Sequence, residues 1–347
     1  MEIQVAIGVR LADVANHAGV SRVAAGRVLL GSGAGHVRVS EAAAKRIQEA
    51  ARELGYQPNR SAQRLNGKGG NLLGVIVNTN APEIELCRLV ELERLAWKRG
   101  YQLAISALPP QCNANDVVRL AASLSSQGAA GIVFLTGGVN ASALNKIEQA
   151  PAHAVYCGIP PVIGSAPGVV MDLAYGYRQA VRRFAATGRK RIGVMGIDWV
   201  TFNDVYTDYR LESVRDEANL QGVTIIHAPV AVEAGRTTPS RETAESLVDG
   251  LLADGVDAIL AYSDMTALRM IQVLQQRGKR IPGDMAVCGL NNLEVAELLF
   301  PPLTTIDERA GDVADAMLDL IVAQLQGDET EPAQRVIQPA LIIRESA

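Results

Sequence analysis

Cysteine and histidine are scarce, four of each in 347 residues, and their placement excludes more than their number. Cys87, Cys112, Cys157 and Cys288 never approach C-x-x-C spacing, so neither a disulfide framework nor a metal site is expected. Each cysteine reads as a small apolar residue in a reducing compartment. No apolar run is long enough to span a bilayer and no secretory signal pattern is present, which predicts a soluble, cytoplasmic chain with no membrane partner. A G-x-G-x-x-G after the first strand is missing too, and no nucleophile is paired with a base. These absences argue against a Rossmann-type enzyme and predict no catalytic residue and no cofactor.

What is present starts at residues 11–29, which read as two short helices joined by a tight turn. Leu11, Val14, Ala15 and Ala18 recur at helical spacing, Gly19 suits the turn, and Ser21 is placed to cap a second helix carrying Arg22, Val23 and Arg27. Such a unit places a helix in the DNA major groove, where an arginine at its start reaches guanine O6 and N7 and one a turn later reaches phosphate. A third helix is signalled by Ser40 as its cap, by Ala43, Ile47, Ala50 and Leu54 on one face, and by Gly55 as a stop. The run Pro58 to Leu65 then gives a cap, a short amphipathic stretch and a glycine-rich exit at Gly67, Gly69 and Gly70, the pattern of a hinge.

These opening helices, the Val20-Ser21 turn and the run Leu54-Gly55-Tyr56-Gln57-Pro58-Asn59-Arg60 resemble the LacI/GalR family of bacterial transcription regulators, and the likeness covers nearly the whole chain. The resemblance implies DNA contacts at Ser21, Arg22, Val23, Arg27, Asn59, Ser61 and Ala62, and a minor-groove wedge at Leu65; an ordinary apolar helix position is the alternative for Leu65. It also implies a homodimer on a pseudo-palindromic operator. Two departures bear on the operator. Ala24-Ala25-Gly26 stands where Thr-Val-Ser usually precedes Arg27, which removes two hydroxyls and sets a glycine inside a helix at a cost of about 1 kcal/mol relative to alanine. The Gly31–Gly35 insertion lengthens the following loop.

From Leu72 the pattern alternates strands and helices, the signature of parallel α/β structure. Two similar halves, divided near Asp172, match the periplasmic-binding-protein-like body that the resemblance implies. The expected organisation is a helix-turn-helix head over 1–58, a hinge helix and linker over 59–71, and an effector-binding body over 72–347. Lobe 1 takes about 72–171 and 306–326, and lobe 2 about 172–305 and 327–347. In this plan the chain crosses three times between lobes, the helix Arg309–Gln326 returns to the first, and one strand, Arg335–Ile343, joins the second. Residues 1–70 hold ten Lys and Arg against five Asp and Glu, whereas the remainder holds 23 against 32. A basic head on an acidic body fits phosphate attraction confined to one end, although a merely solvated charge distribution gives the same numbers.

Ligands of open α/β sheets lie beyond the carboxyl ends of the strands, where Asn78, Asn80, Arg210, Asp264 and Asn291 fall. The resemblance supports Arg210, Asp264 and Asn291 as effector contacts. In Gly289-Leu290-Asn291-Asn292 both carboxylates of the usual Gly-aromatic-Asp-Asp pattern are replaced by amides, which suits an anionic or amide-bearing ligand. Blander roles stand beside these: Asp264 as cap of the helix from Met265, Arg210 paired with Asp208 or Glu212, and Asn78 and Asn80 as turn residues before Pro82. The reading favoured is an operator-binding regulator, a repressor, that responds to a sugar or sugar acid. A small-molecule binding module without a DNA role is the alternative.

Overall fold

The computed structural model describes residues 11–30, 39–54, 70–79, 82–109, 114–135, 153–158, 166–197, 205–230, 236–327 and 334–347. They fall into two units, Met1–Gly70 and Asn71–Ala347. In the first, helices α1 (Leu11–His17), α2 (Arg22–Leu30) and α3 (Glu41–Glu53) close on a core of Val14, Ala15, Ala18, Ala25, Ile47 and Ala50. Four of these six are alanines, so the helices approach closely and little apolar surface is needed. Gly19 takes φ +62°, the left-handed conformation that lets α1 end and α2 begin three residues later. His17 Nε2 and Glu53 Oε2 lie 2.9 Å apart, joining α1 to α3 at the surface.

The second unit begins with β1 (Leu72–Asn78), α4 (Glu83–Lys98), β2 (Gln102–Leu108), α5 (Ala114–Gln127), β3 (Gly131–Phe134), β4 (His153–Gly158) and β5 (Gly168–Met171). After a first crossing come α6 (Leu173–Ala186), β6 (Arg191–Ile197), α7 (Val205–Gln221), β7 (Thr224–Val230), α8 (Arg241–Ala253), β8 (Ala258–Leu260), α9 (Asp264–Gln276), β9 (Ala286–Leu290), α10 (Val295–Leu298) and β10 (Thr304–Asp307). A second crossing leads to α11 (Ala310–Gln326) and β11 (Gln334–Ile337), and a third to β12 (Ala340–Ile342).

Two six-stranded sheets result among the described residues, ordered β11-β5-β4-β3-β1-β2 and β12-β10-β9-β8-β6-β7. All pairings are parallel except that of β12 with β10. The buried run Leu73–Val77 suits the interior place of β1, flanked by β3 and the edge strand β2 with Leu72 opposite Gln102. An apolar cluster continues from Leu73, Val75 and Val133 of the first sheet through Phe184, Met317 and Ile321 to Ile192, Leu260 and Leu290 of the second.

The single strand expected over Arg335–Ile343 is instead two, one in each sheet. Pro339 lies between them; it has no N–H to give a ladder and restricts the residue before it. Thr304–Asp307 belongs to the second sheet, so the middle crossing falls after Asp307 rather than before Ile306. The strand pattern of the sequence leaves β4 and β10 unmarked. The crossings run close together: Asp172 N donates to Ile337 O at 3.0 Å, and a Cβ on Gly176 would stand 2.6 Å from Ile306 Cγ2 and 2.9 Å from Pro339 Cγ.

Candidate DNA-reading helix and interlobe site

The second head helix starts as the sequence predicts. Ser21 Oγ accepts from Ala24 N at 3.1 Å, and Ser21 O accepts from Ala25 N at 3.0 Å, so the hydroxyl satisfies one donor of the first turn. Ser21, Arg22, Val23 and Arg27 are exposed, with Val23 58% open to solvent. An exposed valine beside an arginine at a helix start offers a methyl contact and a two-pronged donor to base edges, and Arg27 follows about one turn later. Gly26 is buried, so of the two hydroxyls that the sequence lacks only the one at position 24 had a route to DNA. Asn59, Ser61, Ala62 and Leu65 lie outside the described residues, as do Asn80 and the side chain of Arg210.

In the body, the ends of β1 and β9 bring Asn78 and Asn291 into two hydrogen-bonded groups, Asn78 with Glu85 and Asn291 with Glu308 and Arg88, which the charges of Glu85 and Arg88 couple. Asn78 donates through its backbone N and Nδ2 to Glu85, at 3.4 Å to Oε2 and 3.2 Å to Oε1. Arg88, one turn further along α4, donates from Nη2 to Glu308 Oε2 and to Met171 Sδ, the latter at 2.7 Å. Glu308 Oε1 in turn accepts from Asn291 Nδ2 at 2.6 Å. Asn78, Glu85, Arg88 and Met171 belong to the first lobe, Asn291 to the second, and Glu308 to the crossing between them. Glu85, Arg88, Asn291 and Glu308 are all buried. Burial pushes the Glu85 carboxyl up to about 7, against the opposing effects of the Asn78 hydrogen bonds and the Arg88 charge.

The backbone explains part of the Asn291-Asn292 choice. Both residues have positive φ, 108° and 50°, a region that asparagine tolerates better than most side chains. Asn292 Nδ2 donates to Asp307 Oδ2 at 3.2 Å, and its Oδ1 accepts from Arg344 Nη2 at 2.9 Å.

Asp264 does not cap the helix that follows it. Ser263, not Asp264, caps α9, accepting from Thr266 N at 3.1 Å. The Asp264 carboxylate is fully buried and accepts from Leu293 N at 2.7 Å and from Thr305 Oγ1 at 2.5 Å, which clamps the Asn291–Leu293 turn to β10. Burial raises its pKa to about 6, partly offset by those two hydrogen bonds. Gly289 leaves the room: a Cβ there would lie 2.1 Å from Asp264 Oδ1.

The amides at 291 and 292 are accompanied by carboxylates from elsewhere in the chain. Glu308 restores one against Asn291, and Glu85 adds another from α4. Sequence reasoning missed both, together with Arg88. A signal was available, because Ile84, Glu85, Arg88, Leu92 and Ala96 form the buried stripe of α4 and two of its members are charged. A second link between lobes runs from Thr237 Oγ1 to Glu83 Oε1 at 3.3 Å, with Tyr262 OH donating to Thr237 O at 3.5 Å. An open groove of about 510 Å³ lies elsewhere, along Arg241, Arg269, Gln272, Val273, Gln275 and Gln276; no predicted effector residue lines it. Among the described residues no helix is long and apolar enough to cross a membrane.

A three-helix head with an exposed basic recognition helix, joined in one chain to a body of two parallel sheets, defines the class of DNA-binding regulators with a ligand-binding body. Residues 10–59 match the model of bacterial regulatory proteins of the lacI family, and residues 181–347 that of the periplasmic binding protein-like domain. The chain therefore carries a lacI-family DNA-binding domain and a periplasmic-binding-protein-like domain, and the relatives it resembles along nearly its whole length are LacI-family transcriptional regulators. It is 27% identical over 349 residues to the HTH-type transcriptional regulator CelR of Thermobifida fusca, covering 96% of both chains. Among solved structures, the lac repressor dimer bound to operator and the anti-inducer ONPF superposes with TM-score 0.83 at 21% identity, covering 98% of this chain and 99% of that one. The CelR–cellobiose complex superposes with TM-score 0.66 at 26% identity, covering 98% and 100%.

Proposed function

We propose that this regulator is a homodimeric repressor that works in the cytoplasm, and that a sugar or sugar acid bound between the two lobes changes its affinity for a pseudo-palindromic operator. The observation that carries the reading is the buried chain Arg88–Glu308–Asn291, which links the first lobe to the strand end of the second, with the Asn78–Glu85 pair beside it on the first. A ligand there meets both lobes at once and so binds one degree of closure better than another, which is the requirement for shifting a two-state equilibrium. The named relatives support the ligand class, since CelR has been solved with cellobiose and a lac repressor with an anti-inducer on operator DNA.

The roles follow residue by residue. Arg22 and Val23 read base edges, and Ser21 and Arg27 hold phosphate. Asn59, Ser61 and Ala62 serve the hinge segment and Leu65 the wedge. Asn78, Asn80, Arg210, Asp264 and Asn291 face the effector, and Asp264 also fixes the turn that carries Asn291. The head spans 1–58, the hinge 59–71 and the body 72–347. Leu86 and Val90, 48% and 64% exposed one turn apart on α4, with the edge-strand Ile105 at 53%, supply apolar surface for the homodimer.

The test pairs operator selection from random duplexes with a thermal-shift screen of cellobiose, lactose, sucrose and gluconate. A ligand at about 100 times its Kd stabilises by about 2.7 kcal/mol. A stabilising sugar that also moves operator affinity, with both effects lost in Arg210→Ala, is the expected result. A selected operator whose affinity no compound alters would overturn the effector class while leaving DNA binding in place.

A further inference from the structure

Among the described residues, Arg88 is the single guanidinium in a buried cluster that holds two carboxylates. Glu308 reaches it from the crossing between lobes, and Glu85 lies one turn back on the same helix. The guanidinium is 3% exposed, its Nε–H has no hydrogen-bond partner, and Nη2 already contacts both Glu308 and Met171. It neutralises one carboxylate, not two. The other groups around the cluster do not correct the imbalance. Asn78 reaches Glu85 from β1 with neutral donors. The Cys157 thiol, at the end of β4, is pushed up to about 11 by burial and stays uncharged near neutrality. From the second lobe, Asp264 adds negative charge that Glu308 opposes and Arg344 favours.

We propose that Arg88 is a positioning residue for lobe closure, committed to Glu308 while Glu85 holds a proton and drawn from it when Glu85 ionises, so that the lobes close more readily in acid than in alkali. With Glu85 neutral the cluster is a balanced ion pair, and Glu308, fixed by Arg88, orients the Asn291 amide. With Glu85 ionised a surplus charge sits in a dry site, where charge is most costly, and opening relieves it by admitting water. Helix α4 carries the change to the rest of the first lobe, because its first residue, Glu83, also touches Thr237 of the second. Burial sets the ionisation of Glu85 at about 7, within the range a cell experiences.

The proposal rests on the interlobe cleft being the effector site only for its biological meaning, since lobe separation is measurable without effector or DNA. Spin labels at Arg119→Cys in the first lobe and Leu220→Cys in the second, in a Cys87→Ser, Cys112→Ser background diluted with unlabelled chain, report that separation by pulsed dipolar spectroscopy from pH 5.5 to 8.5. The expected result is a shift toward longer distance as pH rises through about 7. Glu85→Gln should hold the short distance at every pH, Arg88→Met the long one, and Arg88→Lys should restore part of the pH response. A distribution that ignores pH in the parent chain, or one that moves equally in Glu85→Gln, would overturn the proposal. Glu85→Gln removes charge but not shape and retains an acceptor for Asn78, so the comparison survives if Arg88→Met fails to fold.

Discussion

Gly289→Ala tests how rigidly the second lobe holds its ligand-side turn. The added Cβ would stand 2.1 Å from Asp264 Oδ1 and 2.9 Å from Leu303 Cδ2. Leucine can rotate away, but Asp264 is fully buried and fixed by Thr305 Oγ1 at 2.5 Å and Leu293 N at 2.7 Å. Moving the carboxylate disrupts both bonds. A hydrogen bond to a charged group contributes about 1.5–3 kcal/mol, so after some relaxation the substitution should cost about 3–5 kcal/mol. Asp264→Ala should cost a similar amount, because it removes the same two bonds and leaves Leu293 N without its acceptor. The double variant removes the clash together with its partner, and should be scarcely less stable than Asp264→Ala alone. Urea unfolding at fixed protein concentration and pH 7.5 gives the four corners of this cycle. A loss below about 1 kcal/mol for Gly289→Ala, or simple additivity in the double variant, would refute the claim that Asp264 cannot move.

Two further predictions concern DNA and protons. Arg22→Ala should cost about 1–3 kcal/mol on the preferred operator and relax base preference, whereas Arg27→Ala should weaken all duplexes together and flatten the salt slope by about 1; filter binding at several salt concentrations separates the two. Glu85 and Asp264 are raised in the folded chain, from 4.5 to about 7 and from 3.8 to about 6. The folded state therefore binds their protons more tightly than the unfolded state does. Their contribution to stability is fully present below the unfolded values and is lost as pH rises through the folded ones. Between pH 4.5 and 8 parental stability should fall relative to that of Glu85→Gln by about 3 kcal/mol, read from paired urea titrations. A constant gap between the two proteins would show that Glu85 is not buried in this way.

Much of the fold is legible in the sequence because local signals and tertiary needs agree. Ser21 and Ser40 each precede a helical run and each caps it as expected, whereas at α9 the cap is Ser263 rather than Asp264. The apolar stretch at Leu73–Val77 becomes the buried strand that its composition suggests. The misses occur where an element is short or its partner is distant. Thr304–Asp307 is a strand because β9 and β12 flank it, and nothing in those four residues signals it alone. At the site, Asn78 and Asn291 fall at the strand ends where they were expected. Their coupling through Glu85, Arg88 and Glu308 was not legible, since Arg88 and Glu308 are 220 residues apart and each alone looks like a surface charge. Asp264 was recognised as special, but its partners, Leu293 N and Thr305, depend on a turn whose geometry the sequence does not state.

The interleaved route of the chain through its two sheets also sets an order of events on the ribosome. The first sheet takes its edge strand from Gln334–Ile337, after almost all of the second sheet has been made, and the second takes its own edge from Ala340–Ile342. Neither half of the body is complete until both are nearly synthesised, so the body must wait with apolar strands unpaired, a condition that exposes a nascent chain to aggregation. The head makes its core within residues 11–54 and has no such wait. The part that binds DNA can thus acquire its shape long before the part that governs it.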